Sequence, residues 1–145
     1  MPRDVKKISA LIIAATMIFS SFAFFITGFR ASGDTTGTQK LDSFVVNYAV
    51  DSDTESAYMA SGFTFMKLYY GNQSMADFSA TLPDQMTTVD GRKQLVVELL
   101  RSNETYAVLR SAVNATTLRE PKESSIMEAL CSVLVFKPSR CLLPA

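Results

Sequence analysis

Between Ile8 and Phe29 the chain reads ISALIIAATMIFSSFAFFITGF, 22 residues without a charge. A helix of that length rises about 33 Å and crosses a hydrocarbon layer of about 30 Å. Arg3, Lys6 and Lys7 precede it against a lone Asp4, and Arg30 follows. The positive-inside rule therefore predicts a cytoplasmic N-terminus over residues 1–7, a single-pass transmembrane helix over 8–29 and an extracytoplasmic C-terminal part. A cleaved signal peptide is the alternative, because Ser21-Phe22-Ala23 has the small-residue spacing of a cleavage site. Residues 30–40, which include ASGDTTGTQK, are poor in apolar side chains and have the composition of a flexible linker. A single globular domain is expected over 41–145.

Within that domain the pattern changes from continuous to periodic. SFVVNYAV, Ser43 to Val50, is rich in Val and aromatics and predicts a strand, followed by an acidic connection, DSDTESAYMASG. GFTFMKLYYG, Gly62 to Gly71, predicts a second strand. Ser74 and Asp77 fit a capping box, so a helix should open there with Met75, Phe78 and Leu82 on one face. Asp90-Gly91 marks a turn, and KQLVVELL, Lys93 to Leu100, predicts a buried strand. Glu104 to Asn114 fits a helix or a strand, and the alternation tips it to strand. Ser125 and Glu128 fit a second capping box ahead of Ile126, Leu130, Val133 and Leu134, a helix that should end before Pro138. The order of elements predicts a small α/β domain, with a β-sandwich as the alternative.

Composition narrows the chemistry. Fourteen Lys and Arg balance fourteen Asp and Glu, so no broad basic field exists to hold nucleic acid. Histidine is absent, which removes the Ser-His-Asp and Cys-His arrangements and every His-ligated metal site. No cofactor or metal is expected, and the balance is against an enzyme. Asp51, Asp53 and Glu55 alternate as in the start of a calcium loop, but the sixth and twelfth places hold Ser56 and Gly62 instead of Gly and Glu, so a solvated acidic turn is the better reading. Tyr69 and Tyr70 read as packing residues at a strand end, and the scattered methionines as core filler. Three of the four asparagines, Asn72, Asn103 and Asn114, begin glycosylation sequons, which marks three surface segments if the domain is exported.

The only cysteines, Cys131 and Cys141, have three readings: a structural disulfide, a reactive pair, or free thiols. A metal site would need about four ligands, and two thiols without histidine fall short. A helix from Cys131 to Phe136 advances about 7.5 Å, and a turn at Lys137-Pro138-Ser139 lets the chain cover that distance back. The spacing therefore favours a disulfide in an oxidising compartment.

Strand, Tyr-Tyr-Gly turn, capped helix and buried strand, FTFMKLYYGNQSMADFSATL followed by Lys93 to Leu100, resemble the core of thioredoxin-like domains. The closing ALCSVLVFKPSRC resembles the cysteine-bracketed end of some exported members. The resemblance implies a thioredoxin-like α/β fold. It does not carry the oxidoreductase site, because Asn72-Gln73-Ser74-Met75 stands where the family has Cys-x-x-Cys, and NATTLR at Asn114 to Arg119 lacks the family's proline.

The expected function is a non-enzymatic extracytoplasmic interaction or accessory module at the cell membrane. Residues 8–29 would meet lipid, and protein partners would lie in the membrane or envelope. The alternative is a thiol–disulfide oxidoreductase or disulfide chaperone using Cys131 and Cys141.

Overall fold

The computed structural model describes residues 38–143. Strands are β1 (Val45–Val46), β2 (Thr64–Tyr70), β3 (Leu95–Arg101), β4 (Tyr106–Arg110) and β5 (Ala115–Arg119). Helices are α1 (Ser52–Ala60), α2 (Gln73–Ala80), α3 (Leu82–Gln85), α4 (Glu123–Val133) and α5 (Ser139–Leu142). The strands form one mixed sheet in the order β1-β3-β2-β4-β5. β3 is parallel to both β1 and β2, whereas β2–β4 and β4–β5 are antiparallel. Parallel pairing of β2 with β3 needs a crossover, and α2 and α3 supply it.

Alternation along the central strands sends successive side chains to opposite faces. Met66, Leu68 and Tyr70 of β2 join Leu95, Val97, Ala107 and Leu109 in the larger core, closed by α2, α3 and α4. Ile126, Leu130 and Val133 are the buried residues of α4, at the spacing that keeps one helix face inward. On the other face Phe65 and Val96 pack with Val46 and Val50, against Phe44, Phe63 and α1's Tyr58. That second layer lies over β1, β3 and β2, and Glu55 of α1 reaches Arg110 on β4.

Several sequence expectations change. The acidic segment after Val50 is not a connection but α1, because the Asp51 carboxylate accepts the Thr54 N–H at 2.9 Å and caps the helix. This bond holds the Asp51 carboxyl below its ordinary value, so the cap's contribution is present above that value and fades as pH falls through the lowered one. Asp51→Ala should lower the stability of the domain, read as a fall in urea midpoint at pH 7. An unchanged midpoint would show that α1 is held by its inward side chains alone.

The strand read over 43–50 shrinks to Val45–Val46, and Asn72 rather than Ser74 caps α2, its Oδ1 accepting the Ser74 N–H at 3.0 Å. α4 begins two residues before Ser125, whose Oγ accepts the Lys122 N–H at 2.9 Å. β5 has no counterpart in the sequence reading, and a single sheet with parallel pairs excludes the β-sandwich.

The membrane reading is corrected as well. Among the described residues no helix is long and apolar enough to cross a membrane, and the span read at 8–29 lies outside them. The single-pass localisation, the lipid contact and the membrane or envelope partners fall with it. What stands is an α/β domain with a five-stranded mixed sheet, and its function is read from residues 38–143.

Candidate functional site

Cys131 and Cys141 are joined in a disulfide, with Cα atoms 5.4 Å apart. Cys131 lies in the last turns of α4 and Cys141 in α5, and both residues are half-buried, at the surface of the domain. α4 stops at Val133, three residues before the expected end, and the chain reverses through Phe136, Lys137 and the buried Pro138.

A few bonds seat this loop. Ser111 Oγ donates to the Val133 carbonyl at 2.7 Å, Gln94 Nε2 to the Phe136 carbonyl at 2.6 Å, and Arg140 Nη1 to Gln85 Oε1 at 2.6 Å. The Phe136 ring lies over Gly62, whose φ of 93° suits glycine. A Cβ there would come within 2.9 Å of that ring and would push it aside.

No family model matches this chain, and neither a curated protein nor a solved structure does. The thioredoxin-like resemblance is thereby corrected. Its active-site turn corresponds to Asn72–Met75, which opens α2 with a capping asparagine and holds no thiol. Site chemistry has to be taken from this chain's own side chains.

The remaining sequence candidates scatter. Asp51 is committed to capping α1 and Glu55 turns into the sheet, so the alternating carboxylates do not converge on one point. Tyr70 joins the larger core, whereas Tyr69 lies on the other face and stacks on Tyr106, with ring centroids 4.3 Å apart. Asn72, Asn103 and Asn114 are all exposed, at the start of α2 and in the turns before β4 and β5. Exposure is what an acceptor asparagine needs, and the three remain glycosylation candidates.

One constellation escaped the sequence reading. Lys67 of β2 stands opposite Glu98 of β3 in register. Its Nζ lies 2.7 Å from Glu55 Oε2 and 3.8 Å from Glu98 Oε1, while Arg110 Nη1 lies 3.3 Å from Glu55 Oε1. Glu55 and Glu98 are 2% and 0% exposed. Burial pushes the Glu98 carboxyl above its ordinary value, against the Val50 N–H and the Lys67 charge that pull it down. For Lys67 burial works against the charge, but the Glu55 hydrogen bond and the Glu98 charge outweigh it, and its pKa is raised. The signal in the sequence was one Lys inside FTFMKLYY and one Glu inside LVVELL. Only the register shows that they meet. Held this way, the cluster clamps α1 to the sheet, and the Glu98 carboxylate also accepts the Val50 N–H at 3.1 Å.

Proposed function

We propose that this domain works by thiol–disulfide exchange at Cys131–Cys141, the pair serving as an exchangeable clasp between α4 and the C-terminal turn. The observation that carries the reading is placement: the bond joins two half-exposed residues at the surface rather than residues sealed in either core. The accessory module anchored in a membrane is set aside with its anchor.

Exchange needs no histidine, because the nucleophile is a thiolate, the partner's in the forward direction and this chain's own in reverse. A thiolate from a dithiol attacks one Sγ of the pair, a new S–S bond forms, and the other sulfur leaves as a thiolate that takes up a proton. The partner's second thiol then displaces the first mixed sulfur. The partner ends as a disulfide and Cys131 and Cys141 as thiols, so two electrons and two protons have moved to this chain. Run in reverse, the reduced pair reduces a partner disulfide.

Single Cys131→Ser and Cys141→Ser variants test this. Under native conditions at pH 7.5, oxidised glutathione should place one glutathionyl group on the remaining thiol of each, seen by intact mass. Protection of both thiols in the folded chain, with reaction only after denaturation, would refute exchange and leave a static crosslink.

A further inference from the structure

The sheet face that α1 leaves uncovered carries a row set by register. Leu100 pairs with Tyr69, Tyr69 with Tyr106, and Tyr106 with Arg119, one residue from each of β3, β2, β4 and β5. Cross-strand partners share a face, and at about 4.8 Å between strands the row spans about 14 Å. The Tyr69 and Tyr106 rings stack face to face, with 12° between their planes, so each covers the other's inner face and Tyr106 keeps one free face, on the side of β5.

Beyond Tyr106 the surface dips into an open recess of about 880 Å³, whose walls include Thr117, Arg119, Asn103, Glu104 and Glu120. The two walls are tied together, since the Glu120 N–H donates to the Thr105 carbonyl at 3.0 Å. Glu120 has φ 44°, left-handed backbone found at no other non-glycine residue among those described. Such a conformation is held by its surroundings at some cost and is over-represented where ligands bind.

We propose that this recess, with the free face of Tyr106 as one wall, binds a neutral oligosaccharide. The chemistry decides between ligand classes. One cation, Arg119, faces two carboxylates, Glu104 and Glu120, so the rim is net negative and repels a phosphate chain. Side chains this polar give little to a lipid or an apolar peptide. A sugar presents what the recess can take: an apolar C–H face for an aromatic ring, and hydroxyls that both donate and accept. Glu104 and Glu120 accept hydroxyl protons, Arg119 donates, and Thr117 does either. Desolvation and the neighbouring Tyr69 raise the Tyr106 pKa, so its phenol is uncharged at neutral pH. This inference is independent of the disulfide chemistry.

Saturation-transfer NMR on the full chain tests it, with cellotriose, maltotriose and chitotriose as probes and an oligothymidylate as the polyanionic counter-probe. At least one trisaccharide should receive saturation, and its Kd should rise about tenfold in both Tyr106→Ala and Arg119→Ala, the loss of one ring or one charge-assisted hydrogen bond. Thr117→Val, at an exposed position, checks the same site without disturbing the tyrosine stack and should weaken binding severalfold. No transfer to any of the three sugars, equal affinity in all three variants, or binding of the oligothymidylate alone would each overturn the proposal.

Discussion

Lys67→Met should cost about 3–5 kcal/mol of stability at pH 7, the largest loss expected from any single change outside the apolar core. The lysine is 19% exposed and holds two carboxylates that water does not reach. Without it, Glu55 keeps only Arg110, which is half exposed, and Glu98 keeps the Val50 N–H. Coulomb repulsion between the two then has no counter-charge between them. The direction with pH follows from the shifts already present. Glu98 has a folded pKa above its ordinary value of 4.5, so its contribution is fully present below that value and is lost as pH rises through the folded pKa. Removing Lys67 raises that folded pKa further, so the deficit of the variant should shrink from pH 7 toward pH 4.5. Adding Glu98→Gln should flatten that dependence and return part of the loss. Urea denaturation of the three proteins at the two pH values measures all of this. A loss under about 1 kcal/mol at pH 7, unchanged at pH 4.5, would mean that water already solvates the carboxylates.

The same cluster marks the boundary of what the sequence could reveal. Apolar runs announced β2 and β3 because their residues are buried on both faces, and α4 because Ile126, Leu130 and Val133 repeat at helical spacing. α1 was illegible for a physical reason: its two fully inward residues are Thr54 and Glu55, so no apolar stripe marks the helix. Its capping aspartate looked like part of a solvated turn. β5 alternates between exposed and half-exposed positions at the edge of the sheet, and ATTLR has too little apolar content to announce itself. β1 shows the opposite error, since SFVVNYAV has strand composition but only two residues find partners on β3.

For the candidate sites the division is similar. The pairing of Cys131 with Cys141 was legible because only 10 positions, with one chain reversal, separate them. The tyrosine row and the Lys67–Glu98 pair depend on register, which joins residues far apart in the chain. The thioredoxin-like reading failed because an order of elements is shared by many unrelated chains, and its specific part, two cysteines at one turn, was missing.

Reduction of Cys131–Cys141 should leave the sheet folded and lower the stability of the domain by at most about 2.5–3 kcal/mol, the loop-closure entropy of a crosslink spanning 10 positions. For a domain of roughly this size that is a fall in Tm of about 10–20 °C. The upper limit applies only if the native tail stays fixed without the bond. Three side-chain hydrogen bonds and Pro138 hold it, while Phe136 is 53% exposed and Leu142 and Leu143 are more exposed still. Part of the entropy released on reduction should therefore appear in the native state as fraying after Leu134, which makes the observed loss smaller than the limit. Hydrogen exchange separates the two contributions: the Cys141 amide, which donates to the Pro138 carbonyl, should lose protection on reduction while those of β2, β3 and β4 keep it. A bond that gives the fold this little is also easier to reduce, so its midpoint should lie above about −300 mV, in the range of exchangeable rather than structural disulfides. Global unfolding on reduction, with a midpoint below that value, would identify a static staple and remove thiol exchange as the function.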